Sequence, residues 1–237
     1  MRIAMWSGPR NLSTAMMYAF GARRDCAVVD EPFYAAYLAA TGLNHPMRDR
    51  ILASQPQDPD RVIAQITGPV PGKKRHFYQK HMAQHMVAGI DRGLLGQMRN
   101  VFLIRHPARV VASYGARREN PTLTDIGFVQ QAGLFDLARE LGDTPVVIDS
   151  HDIRADPETM LTRLCAAIGI GFEPAMLHWP VGGHARDGVW AAHWYGAVHQ
   201  STGFGGPEGP LPAMTGPLAQ VVEEAMPSYE KLRGEKL

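Results

Sequence analysis

Short apolar runs separated by longer amphipathic stretches set the rhythm of this chain. Ile3–Trp6, Ala27–Val29, Phe77–Gln79, Val101–Ile104 and Val146–Ile148 are brief and bounded by charge, Gly or Pro. Such runs read as strands buried on both faces. Apolar residues at helical spacing follow several of them. Ala15, Met16, Ala19 and Phe20 mark a helix over 13–23, and a second, over 109–117, follows Pro107. A third covers 126–141 and a fourth 157–168, the last with Asp156 placed as N-cap before Pro157. Strand–helix alternation predicts a parallel sheet with crossover helices, one α/β domain over residues 1–237. The character changes near Pro180. Residues 203–217 are dominated by Gly and Pro and read as a loop. Residues 218–232 read as a closing helix that Pro227 would break or restart.

Composition narrows the function. Hydrophobic residues make up 45% and charged residues 20% of 237, the balance of a soluble globular protein with a proper core. The net charge is +1, so no whole-molecule field draws the chain to nucleic acid or anionic lipid, and any bound anion must be held by a local cluster. No apolar run approaches the ~18 residues of a membrane span, and no basic region leads into an apolar stretch of signal-peptide length. A cytoplasmic location is the resulting expectation. Cys26 and Cys165 sit among apolar residues and read as buried thiols rather than a disulfide.

The candidate chemistry begins at "WSGPRNLSTAMMYAF", residues 6–20. A strand ends, Gly8 and Pro9 make a tight exit, and a helix starts at Ser13 and Thr14. A helix N-terminus offers backbone N–H groups and partial positive charge to an anion. The two hydroxyls and the planar fork of Arg10 add donors. The triphosphatase pattern G-x-x-x-x-G-K-[ST] is absent, and apart from Asp149 no strand ends in an acid suited to magnesium. A second stretch, "VFLIRHPARVVASY" at 101–114, repeats the logic: Arg105 leaves a strand tip and Ser113 lies about two helical turns on. The plain alternatives are a capped helix with an exposed Arg10, and a surface Arg105.

Arg105, Pro107, Ser113 and Tyr114 spell R-x-P-x-x-x-x-x-S-Y, which resembles the 3′-phosphate motif of sulfotransferases that use 3′-phosphoadenosine-5′-phosphosulfate. Pro9, Arg10, Ser13 and Thr14 resemble the same family's 5′-phosphosulfate loop, P-[KR]-S-G-T-T, with Asn11 and Leu12 in place of Ser and Gly. A residue with a Cβ pays to adopt φ > 0, so a loop shaped somewhat differently from the family's is expected here. Residues 146–170 are similar to the family's strand–acid–loop–D-P–helix segment, with Asp152 and Asp156-Pro157 fixing the start of the helix. The resemblance is to a compact bacterial-type subfamily. It implies a sulfotransferase fold of the P-loop kind, with a nucleotide-binding core at 1–175 and a lid loop and closing helix at 176–237. It further implies donor contacts from Gly8, Pro9, Arg10, Asn11, Leu12, Ser13, Thr14, Arg105 and Ser113, and from Arg186 and Gly188 in a lid with Trp190. A small-molecule acceptor would take the sulfuryl group and adenosine 3′,5′-bisphosphate would be released. Fixed cations such as Arg10 would stand in for a metal, by charge rather than by proton donation.

Two candidates remain for the base. "FYQKHMAQHM" at 77–86 resembles the family's strand-end K-x-H segment with its histidine one position early, so His81 would take the proton and Lys80 would bridge to the sulfate. Glu31, in "VVDEPFYAAYL", follows the second strand at the sheet edge where α/β folds bind ligands. The alternatives are a zinc pair at His81 and His85, and helix capping by Asp30 or Glu31. The rival functions are a related nucleotide-dependent phosphotransferase and a non-catalytic nucleotide-binding module. Trp194 and Tyr195 read as acceptor pocket or packing; the remaining histidines at 178, 184, 193 and 199 read as surface or packing residues.

Overall fold

The computed structural model describes residues 1–115 and 121–237. In chain order the first part comprises β1 (Arg2–Ser7), α1 (Ser13–Gly21), β2 (Cys26–Asp30), α2 (Tyr34–Thr41), α3 (Arg48–Ser54), α4 (Pro59–Thr67), β3 (His76–Met82), β4 (Arg99–Ile104) and α5 (Pro107–Gly115). Then come α6 (Leu123–Ile126), α7 (Phe128–Glu140), β5 (Val146–Asp149), α8 (Ser150–Ala155), α9 (Pro157–Ile168), the one-turn helices α10 (Ala191–Trp194) and α11 (Gly196–His199), and α12 (Gly216–Arg233). All five expected strands form. They make one parallel sheet in the order β2-β3-β1-β4-β5. Of the helix expected over 109–117, Ala116 and Arg117 lie outside the described residues.

The continuous apolar runs follow from a sheet covered on both sides. Ala4, Trp6, Phe102 and Ile104 point into one core with α5, α7 and α12, while Ile3, Met5, Val101 and Leu103 point into another with α1 and α9. Alternate residues serve opposite faces, so the strand centres are apolar on both sides, with buried Gln79, Lys80, His81 and Asn100 as the polar exceptions. Both cysteines are buried free thiols.

Three details depart from expectation. The loop expected after β5 is the short helix α8, capped by Asp149, which accepts from the His151 N–H at 2.9 Å. Asp156 does cap α9 through the Thr159 N–H at 3.1 Å, whereas Asp152 instead receives Lys236 Nζ at 2.6 Å. Pro227 does not interrupt the closing helix; α12 runs through it without a break. No described helix is long and apolar enough to cross a membrane.

Strand register brings Ser7, Asp30, Met82, Ile104 and Asp149 to one edge. The neighbours β1 and β4 then feed helices on opposite faces, since α1 packs in one core and α5 in the other. A crevice opens between such diverging connections.

Candidate functional site

That crevice holds a cavity of about 460 Å³. Its wall contains Pro9–Ala15 after β1, Glu31 after β2, Lys80 and Met82 at the end of β3, Arg105 after β4, and Ser113 on α5. The two donor-rich turns read from the sequence therefore share one site. They touch directly: Arg10 Nε donates to Ser113 Oγ at 2.9 Å, and Arg105 Nη1 donates to the Arg10 carbonyl at 2.6 Å.

The left-handed positions of the first turn carry no glycine. Arg10 and Leu12 have φ of 59° and 63°, and Leu12 is the N-cap of α1 with no side-chain hydrogen bond. Left-handed backbone at Cβ-bearing residues is costly and persists where the surroundings fix it. Asn11 supplies one anchor, its Nδ2 donating to the Leu103 carbonyl of β4 at 2.6 Å. Gly8 does not line the cavity. Its role is contact: a Cβ there would lie 2.4 Å from the Ile126 carbonyl oxygen.

In the same wall a buried charge cluster forms around Lys80, 1% exposed. Its Nζ donates to Asp30 Oδ1 at 2.9 Å, Glu31 Oε1 at 2.6 Å and Tyr195 Oη at 2.5 Å. All three ammonium protons are thus engaged, which leaves none for the sulfate bridge expected of Lys80. Tyr195 Oη in turn donates to Asp30, and Trp190 Nε1 donates to Tyr195 at 2.9 Å. Burial raises the pKa of Glu31, and Lys80 only partly offsets it. For Lys80 burial works downward, but Asp30 and Glu31 outweigh it and hold the group ionised above the usual lysine range. Glu31 also carries strained backbone, with φ of 38°.

His81 is placed elsewhere. One position along β3 from Lys80, its side chain points to the opposite face. It stacks on Trp6 with ring centroids 4.3 Å apart, and Nε2 meets Gln79 Oε1 at 3.1 Å. Burial lowers its pKa to about 3, so it is a neutral core residue that does not line the cavity. His85 does line the cavity, stacked against Tyr34 and Tyr37, and burial holds it neutral as well. Among the described residues no three His, Cys, Asp or Glu side chains stand close enough to hold a metal ion.

The expected lid is also built differently. Arg186 is exposed, and neither it nor Gly188 or Trp190 lines the cavity. Gly188 donates its N–H to Asp30 Oδ2 at 3.0 Å, and Trp190 is buried at 1% exposure beneath Tyr195. The cavity is walled instead by Trp194, Tyr195 and Val198, and by Gly203, Phe204, Gly205 and Glu208 of the Gly/Pro loop. Sequence reasoning missed Asp30 as a partner of Lys80, and it missed Glu208 altogether. The adjacent acids of "VVDEP" carried a signal for the first; nothing in the loop marked the second.

A family model described as "Sulfotransferase domain" matches residues 1–235. The fold is shared with the sulfotransferase domain of the Synechococcus PCC 7002 olefin synthase, at TM-score 0.58 and 20% identity over 94% of each chain. A sulfotransferase domain from the curacin biosynthetic pathway gives TM-score 0.58 at 13% identity, covering 94% of this chain and 96% of that one. The Arabidopsis thaliana "Branched-chain-amino-acid aminotransferase-like protein 1" is 36% identical over 233 residues, and the match spans 98% of this chain but 41% of that protein.

Proposed function

The chain belongs to the sulfotransferase domain family, and on that premise we propose that it transfers a sulfuryl group from 3′-phosphoadenosine-5′-phosphosulfate to a hydroxyl or amine of a small acceptor. One observation carries this reading: the 10–14 turn, Arg105 with Ser113, and the Glu31–Lys80 cluster all face one cavity. Orphaned donors support the fit of a nucleotide. Arg105 Nε and Ser150 Oγ belong to cavity-lining residues, are buried, and have no partner.

The donor supplies an activated sulfuryl unit and a phosphate leaving group. The start of α1, with Ser13 and Thr14, binds the 5′ end, and Arg10 offsets charge on the leaving oxygen. Arg105 and Ser113 take the 3′-phosphate. Glu31 accepts the acceptor's proton as the acceptor oxygen or nitrogen bonds to sulfur and the bond from sulfur to the bridging phosphate oxygen breaks, releasing adenosine 3′,5′-bisphosphate; a carboxylate raised by burial is the better base for that step. Lys80 and Tyr195 position Glu31 rather than touch the sulfuryl group.

The aminotransferase in the plant relatives' names does not carry over. The match spans 41% of each of those proteins, and the sulfotransferase model covers the same part of this chain. Calorimetric titration with adenosine 3′,5′-bisphosphate without magnesium tests the assignment, with micromolar binding expected. Arg105→Ala should weaken the bisphosphate far more than adenosine monophosphate; equal loss for both removes Arg105 from the 3′ site. Binding with no transfer across a broad acceptor screen would favour a nucleotide-binding module instead.

A further inference from the structure

Glu208 lies in a Gly/Pro loop that reads as a connector, yet its carboxylate is 2% exposed and meets three arginines from three segments. Arg105 follows β4, Arg109 on α5 places Nε 3.1 Å from Oε2, and Arg154 on α8 places Nη1 3.4 Å from Oε1. Among the described residues no other carboxylate pairs with these arginines, so the cluster keeps two positive charges in surplus. The orphaned Arg105 Nε and Ser150 Oγ stand in the same wall. A carboxylate brings one charge and two oxygens. A phosphate monoester brings nearly two charges and three strong acceptor oxygens, the better match to this donor set.

Resting on the donor assignment above, we propose that Arg109, Arg154 and Ser150 join Arg105 and Ser113 in a phosphomonoester site in which Glu208 is a resident stand-in anion. The 3′-phosphate of the nucleotide displaces that carboxylate. The loop suits such an exchange. It is held to the same arginines through backbone oxygens, Arg154 Nε donating to Gly206 at 2.9 Å and Arg109 donating to Gly209 and Pro210. A phosphate that claims the guanidiniums loosens both kinds of contact together. Glu208 thereby sets specificity, because a nucleotide without a 3′-phosphate has nothing to exchange for it.

The test titrates wild type, Glu208→Gln and Arg105→Ala with adenosine 3′,5′-bisphosphate and with adenosine monophosphate. Amide exchange over residues 203–210 of the wild type is followed with and without the bisphosphate. Removing one close competing charge should tighten bisphosphate binding by about tenfold or more and leave the monophosphate within about twofold. The bisphosphate should speed exchange in the loop. Unchanged or weaker bisphosphate binding by Glu208→Gln, or slowed loop exchange, overturns the displacement proposal; the donor assignment survives if Arg105→Ala still loses bisphosphate preference. If wild type and Glu208→Gln both bind the bisphosphate no better than the monophosphate, the donor assignment itself fails and this site with it.

Discussion

Glu31 and His81 began as equal candidates for one proton, and burial on opposite sides of the sheet separates them. Glu31 lines the cavity with a raised pKa. Glu31→Gln should therefore lower kcat by about 100-fold or more, the usual worth of a general base, with bisphosphate affinity unchanged. Since the base acts ionised, activity should fall as pH drops through a value above the ordinary 4.5 of a glutamate, which a kcat–pH profile reads. His81 predicts a different titration. Its pKa falls from 6.5 in the unfolded chain to about 3 in the fold, so only the unfolded state takes up the proton between them. Stability is full above pH 6.5 and declines as pH falls toward 3, by up to about 1.4 kcal/mol per pH unit for this one group. Buried His85 adds loss of the same sign. Urea midpoints at pH 7 and pH 5 should converge in His81→Gln relative to wild type, while its turnover persists. Loss of turnover with intact folding would return His81 to the chemistry.

Two elements carry strain that substitution should expose. The β1–α1 turn approaches α6 so closely that a methyl at Gly8 meets the Ile126 carbonyl. Gly8→Ala should cost about 1–3 kcal/mol and weaken nucleotide binding, because the turn must move to make room. An unchanged melting temperature would show that the approach is not tight. In α12, exposed Pro227 removes one backbone hydrogen bond from a helix interior. Pro227→Ala should stabilise by about 2 kcal/mol, somewhat less than the helix-propensity gap because proline also stiffens the unfolded chain. The helix survives that residue because Ala225, Tyr229 and Leu232 on its buried face join the core beneath α5 and α7. Propensity foretold a break; packing overrode it.

At the scale of the molecule, a ligand that binds only the folded chain raises its melting temperature. Adenosine 3′,5′-bisphosphate at 100 times its dissociation constant should add about 2.7 kcal/mol, or roughly 5–10 °C for a domain this size. No shift at saturating ligand would contradict the proposed function. The fold was legible because short apolar runs bounded by charge, Gly or Pro alternate with stretches at helical spacing. The outline of the candidate site was legible because two such runs lead into donors: Arg10–Thr14 and Arg105–Ser113. Lys80 and His81 were not separable in one dimension, since neighbours on a strand face opposite ways and either face could hold the ligand. Glu208 was illegible, its partners at 105, 109 and 154 being distant in sequence and its loop featureless.

The amino-acid order by itself determined the periodicities, and with them a parallel sheet whose strand ends carry donor-rich turns. Only tertiary structure decided that Arg10 meets Ser113, that Lys80 rather than His81 joins Glu31, and that a carboxylate from the last loop enters the arginine cluster. The physical reason is that periodicity is a local property of the backbone. A contact between residues about a hundred positions apart depends on strand order, register and the hand of each crossover, none of which a short stretch encodes.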